Sequence, residues 1–180
     1  MNEYHLNQTI NNLEGPSREQ IVVGNQWAAV ALDKFHKDSE AKIALTIDNQ
    51  EYEAVLKWDS EFSKAAMKEK TEMANHGGVA MAYFVMSVLL NYGYLEQSEI
   101  GEGVDYRFSD KVPGDDDLNF LDNFHYVEVS GILKESPTNT LQRRLKIKHE
   151  QITRGSKSDK ESSVIVTLFS KLETVKEIHN

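Results

Sequence analysis

The chain has no cysteine among its 180 residues. That excludes a disulfide framework and any zinc site built from thiolates. Long hydrophobic runs are missing too: nothing approaches the ~20 apolar residues of a membrane-spanning helix. The longest candidate, residues 79–90, is too short and reads as a helix buried inside the protein. The opening stretch, residues 1–16, is polar and carries Glu3 and Glu14, which does not fit a signal peptide. Positive charge is scarce, with 20 Lys and Arg against 29 Asp and Glu and a net charge of −9, which argues against a nonspecific nucleic-acid coat. These absences together point to a cytoplasmic protein without a membrane partner.

The charge that is present is unevenly placed. Between residues 134 and 160 there are eight Lys and Arg against three Asp and Glu, a local +5 that leaves −14 for the rest of the chain. Either this segment is a solvated helix face with its loop, or it is a surface that meets phosphate. The length suits one domain, 1–180, with a loose N-terminal arm over 1–18, a β-rich extension over 19–59 and an α/β core over 60–180. Strands are expected at 26–32, 41–47 and 52–58, with a turn at Asp48, Asn49 and Gln50. Residues 60–91 are rich in Ala, Lys, Glu and Met and predict helix, broken or closely packed at Gly77 and Gly78. Strands at 94–97, 104–108 and 124–133, a helix at 140–153 and a closing strand at 163–169 complete the pattern. The fold class is α+β: a mixed central sheet with two main helices, preceded by an antiparallel β meander.

Two strands each carry a carboxylate among apolar or aromatic neighbours. Asp105 follows Gly101 and Gly103 and precedes Tyr106; Glu128 lies in the run Tyr126, Val127, Glu128, Val129, Ser130. Alternation sends Val127 and Val129 to one face and Tyr126, Glu128 and Ser130 to the other. A carboxylate in mid-strand loses solvation unless it pairs, bonds or holds a cation. Two of them on adjacent strands make an anionic pocket for a hard divalent metal, Mg²⁺ or Mn²⁺, and the lack of cysteine or clustered histidine points away from zinc. Gly101 and Gly103 lack the third glycine and following helix of a dinucleotide loop. Asp115, Asp116 and Asp117 lack the spaced ligands of a calcium loop.

The order helix, strand, strand, strand, helix, strand, with Asp105 on the second strand and Glu128 on the third, resembles the PD-(D/E)XK nuclease superfamily, the restriction-endonuclease-like fold. The resemblance spans roughly residues 65–170. It implies a metal-dependent phosphodiester hydrolase in which Asp105 and Glu128 hold magnesium, and Glu72 matches the helix acid that some members add. Where the family has lysine two residues after the second acid, this chain has Ser130. Some members supply that cation from the following helix, where Arg143, Arg144, Lys146 and Lys148 stand. Lys148 lies seven residues after Leu141, on the same side of the helix, and is the expected substitute; Gln142 or Gln151 could position a water. Arg143, Arg144, Lys146, Ser130 and Tyr106 are the expected substrate-binding residues, Tyr106 by stacking on a base. The analogy also implies a homodimer. The rival expectation is a non-catalytic interaction or regulatory module of a bacterial defence or stress system, keeping the fold after losing the lysine.

Overall fold

Strands β6 (His125–Ile132) and β7 (Ser162–Leu168) are buried along their whole length, their side chains apolar and small for the most part, with His125 and Glu128 the exceptions in β6. They form the centre of an eight-stranded mixed sheet ordered β1-β3-β2-β8-β7-β6-β5-β4. The computed structural model describes residues 1–114, 124–157 and 159–179. The remaining strands are β1 (Asn2–His5), β2 (Glu40–Ile47), β3 (Gln50–Lys57), β4 (Tyr94–Gln97), β5 (Tyr106–Ser109) and β8 (Glu173–His179). Four α-helices accompany them: the short α1 (Thr9–Asn12), then α2 (Arg18–Asp33), α3 (Lys70–Phe84) and α4 (Leu141–Arg154). The architecture is α+β, and the N-terminal strands form a meander. Its hairpin, β2 to β3, closes through Asp48 and Asn49 at φ 50° and 68°, the left-handed pair that a two-residue turn needs.

Alternation along β6 sorts the two cores. Val127 and Val129 join the larger core under α2 and α3; Tyr126 and Ile132 join a second core under α4, with Leu141, Leu145 and Ile152. The parallel β6–β7 pair is bridged by α4, which therefore lies across the face that Glu128 shares. Antiparallel β4 and β5 extend the sheet on the other side of β6.

Besides residues 2–5, which form β1 in parallel pairing with β3 where a loose arm over 1–18 is expected, three elements differ from the sequence expectation. Residues 26–32 are not a strand but the second half of α2. Ser17 caps that helix in a reciprocal box with Gln20, and Ile21, Asn25, Ala28 and Leu32 recur at helical spacing on its buried side. Helix α3 begins only at Lys70, with Glu69 as its cap. The preceding segment is held instead by Asp33, which accepts hydrogen bonds from Trp58 Nε1 and Ser60 Oγ and an ion pair from Lys64. Burial of the Asp33 carboxylate opposes its charge, but those donors outweigh it and hold its pKa below the ordinary value. Asp33→Ala strands the Trp58 N–H and is expected to cost about 1–3 kcal/mol in urea unfolding. An unchanged midpoint would remove Asp33 from this role. The third difference is β8, which no expectation covered. It carries Lys176, only 4% exposed, on a bidentate pair with Asp48.

No helix among the described residues is long and apolar enough to cross a membrane.

Candidate active site

Asp105 stands where β5 begins and β6 loses its antiparallel partner. Its backbone N–H donates to Val127 O, and its Oδ2 accepts from Val129 N at 2.8 Å. This bond holds the carboxyl at the strand end, where Asp105 and Glu128 line one cleft. Glu128 is 1% exposed. Burial first, and then the charge of Asp105, push its pKa up to about 7, against the lowering pull of Lys148. The Lys148 ammonium donates to Glu128 Oε1 at 2.5 Å, reaching down from α4. Glu128 therefore meets a carboxyl from the neighbouring strand and an ammonium from the helix above.

The cleft around these groups has a volume of about 450 Å³ and is lined by Asp105, Glu128, Gln151 and Arg154 together with the loop from Gln97 to Val104. That loop is seated by contact between backbones. A Cβ on Gly103, at φ +80°, would come within 2.7 Å of Gly155 Cα, so only glycine lets the loop lie on the end of α4. Glu102 ties it further, accepting from Glu99 N and pairing with Lys157 at 3.3 Å. In the same wall Ser98 Oγ is buried without a hydrogen-bond partner among the described residues.

A raised Glu128 pKa makes stability depend on pH in a definite direction. The folded state holds a proton that the unfolded chain releases near the ordinary carboxyl value of about 4.3. Its contribution is complete below that value and is lost as pH climbs through about 7. The urea midpoint of the wild type is expected to fall between about pH 5 and about pH 8, while that of Glu128→Gln stays flatter over the same range. Parallel curves for the two proteins would contradict the shared burial of these acids.

The other expected residues are placed less centrally. Ser130 is buried in β6 on the face of Glu128 but does not line the cleft. Glu72 sits in the first turn of α3, which packs on the opposite side of the sheet; its carboxylate is hydrogen-bonded to His76 and does not line the cleft. Tyr106 turns to that opposite side too and packs edge-on against Tyr83 at 5.4 Å. Arg143 and Lys146 are exposed on the outer side of α4 and pair with no carboxylate among the described residues, whereas Arg144 donates to Asn139 Oδ1. Asp115, Asp116 and Asp117 lie outside the described residues.

Sequence reading missed Ser98, Gln97 and Arg154 at the cleft. Gln97 and Arg154 end β4 and α4 and Ser98 opens the loop after β4, so all three gain such roles only from where that loop docks, and no periodicity announces them. Two histidine clusters were also invisible. His149 on α4 faces His179 on β8, Nδ1 to Nδ1 at 3.0 Å, and turns its Nε2 to Glu177 at 3.1 Å. His125 lies between Glu161 and Ser163 at 3.1 and 2.8 Å, an acid–base–hydroxyl sequence. Ser163 is fully buried in mid-strand, so its hydroxyl is closed to any substrate.

Among the described residues no group of three or more His, Asp or Glu is arranged to hold a metal ion. Besides the exposed Glu99, the cleft offers the Asp105 and Glu128 carboxylates, the protein share of a magnesium site whose other ligands are waters and substrate phosphate oxygens. The raised pKa of Glu128 marks a site where burial and the neighbouring Asp105 charge outweigh the pull of Lys148, and the unpartnered Ser98 hydroxyl adds an unused oxygen. A hard divalent cation fits this donor set. No family model, curated protein or solved structure matches the chain.

Proposed function

We propose that the protein is a divalent-metal-dependent nuclease that hydrolyses phosphodiester bonds at the Asp105–Glu128 cleft. The observation that carries this reading is the convergence of the Asp105 and Glu128 carboxyls on one cleft, with the Lys148 ammonium bonded to Glu128, in a sheet whose strand order resembles the PD-(D/E)XK fold. Asp105 and Glu128 would hold Mg²⁺ or Mn²⁺. When bound, the cation supplies Lewis acidity toward a phosphoryl oxygen and acidifies a coordinated water. Lys148, held on Glu128 by its bond, provides positive charge beside the carboxyls where negative charge builds at phosphorus, the role of the lysine that Ser130 replaces. Gln151, one turn further along α4, offers an amide to orient the attacking water. Arg154 at the cleft rim and the exposed Arg143 and Lys146 give the strand a cationic approach over an otherwise acidic protein.

The test is cleavage of single- and double-stranded DNA and RNA with Mg²⁺ or Mn²⁺, by wild type and by Glu128→Gln. Activity that needs the metal and vanishes in the variant is expected; equal activity in the two dismisses the cleft. Calorimetry gives a second readout. Since Glu128 must lose its proton to ligate, Mn²⁺ affinity is expected to rise between about pH 6 and about pH 8, with proton release. Affinity flat across that range would speak against carboxylate ligation.

A second reading has its own support: with the Glu128 carboxylate already engaged by Lys148, the chain also suits a non-catalytic interaction module, such as a subunit of a bacterial defence or stress system. Mn²⁺ binding without cleavage of any nucleic acid would favour it.

A further inference from the structure

A second cavity, about 790 Å³, opens between α2, α3 and the β4–β5 edge on the far side of the sheet. Its walls are aromatic. Trp27 and His76 lie ring over ring, with centroids 5.7 Å apart and planes 29° from parallel, and Tyr83 meets Tyr106 edge to face. Val79 and Leu95 fill in between, and Gln20 and Gln97 bring amides to the margin. No Lys or Arg lines it, so it is no phosphate site. Nor is it built for an organic cation. Of its two carboxylates, Glu19 is exposed at the start of α2, and Glu96 is already satisfied by Tyr94 and Arg107, each at 2.7 Å. Planar walls, amide edges and no free buried charge match a neutral aromatic ring that carries its own donors and acceptors.

This cavity borders the carboxylate cleft across the sheet edge. Gln97 lines both, and Asp105 and Tyr106, consecutive in the chain, point to opposite sides of the sheet edge. We propose that the Trp27–His76–Tyr106 cavity takes one unpaired nucleobase of the strand whose phosphate is cut at Asp105 and Glu128, the strand crossing the sheet edge at Gln97. The proposal rests on the nuclease reading above and adds to it a preference for single-stranded or locally unpaired substrate, because a base inside a duplex cannot leave its stack for free. Stacking on aromatic faces tolerates any base, and the amides of Gln20 and Gln97 are the groups placed to discriminate among them.

Trp27 is its own reporter. The chain has two tryptophans, and Trp58 is 3% exposed with its N–H on Asp33, so ligand-dependent fluorescence comes from Trp27. The full chain carrying Glu128→Gln is titrated with a single-stranded oligonucleotide of about eight nucleotides, with an abasic oligomer of equal length, with free nucleosides and with tetramethylammonium. Saturable quenching by the oligonucleotide and by nucleosides, and none by the abasic oligomer, is expected. By anisotropy of a labelled oligonucleotide, Trp27→Ala is expected to weaken binding about tenfold. Tyr106→Leu keeps the reporter, guards against a misfolded Trp27 variant, and is expected to reduce the quenching affinity. Oligonucleotide binding that ignores Trp27 and leaves its fluorescence unchanged overturns the base site and leaves the nuclease reading standing. Quenching by tetramethylammonium but not by nucleosides overturns it as well. Nucleoside quenching in a wild type that cleaves nothing upholds the cavity as a base site and removes the nuclease instead.

Discussion

Lys148→Ala is expected to lower metal-dependent cleavage about 10²- to 10³-fold, the usual effect of deleting one preorganised donor to a developing oxyanion. Substrate binding should change far less, because the ammonium lies over the buried Glu128 and not on the exposed outer side of α4 with Arg143 and Lys146. The loss should therefore appear in kcat more than in KM. A structural explanation predicts something else. Without its ion pair the Glu128 anion is harder to bury, so the variant should lose stability mainly above about pH 7, where the acid is charged, and little below it. Urea midpoints of the two proteins, taken at the pH of the cleavage assay, separate the two causes. The decisive companion is the double variant Ser130→Lys, Lys148→Ala. Ser130 shares the face of Glu128 in β6, and a lysine there would return the ammonium from the strand, as the PD-(D/E)XK pattern does. Partial recovery of cleavage is expected. A Lys148→Ala protein as active as wild type would strip Lys148 of its role.

The largest expected loss of stability comes from a single methyl group. Gly131, three residues after Glu128 in β6, faces α3 so closely that a Cβ would stand 1.9 Å from Ala74 O and 3.3 Å from Gly78 Cα. Gly78 answers from the helix, where a Cβ would stand 2.7 Å from Gly131 N. Backbone atoms cannot step aside as a flexible side chain can. Gly131→Ala must push α3 off the sheet or distort β6, and is expected to cost about 3 kcal/mol in urea unfolding. Because β6 also carries Glu128, the same variant should loosen Mn²⁺ binding in whatever fraction still folds. Gly114, where an added Cβ would meet nothing within 4 Å, is the matched control, and Gly114→Ala should leave the midpoint unmoved. Equal midpoints for the two variants would mean that α3 and β6 are not in this contact.

Much of the fold was legible in the sequence because it is written in short-range periodicity. The strands around residues 94–97, 104–108, 124–133 and 163–169, and the helix at 140–153, all lie close to β4, β5, β6, β7 and α4. The hairpin turn at Asp48 and Asn49 was equally readable, since few residues tolerate its backbone. What misled was the apolar tract in α2. A helix packed between another helix and a sheet, with residues 28–32 all buried, shows no polar stripe, and over a short window its run of Ala, Val and Leu looks like a buried strand. β8 escaped because its buried positions include Thr174 and Lys176, polar side chains that only their partners Thr167 and Asp48 make acceptable in a core.

The same division runs through the site. By itself the sequence determined which groups could do chemistry: Asp105 and Glu128 as carboxylates among apolar strand neighbours, and Lys148 on the Leu141 side of a basic helix. Spacing along one chain fixes side-chain direction within an element, and that much is local. Tertiary structure alone decided that the two acids meet, that Lys148 descends onto Glu128, that Glu72 stays with His76 on the other side of the sheet, and that Tyr106 joins Trp27 in a separate cavity. Those outcomes depend on which strands pair and on which side each crossover passes. Pairing across a hundred residues leaves no mark on the periodicity of either partner.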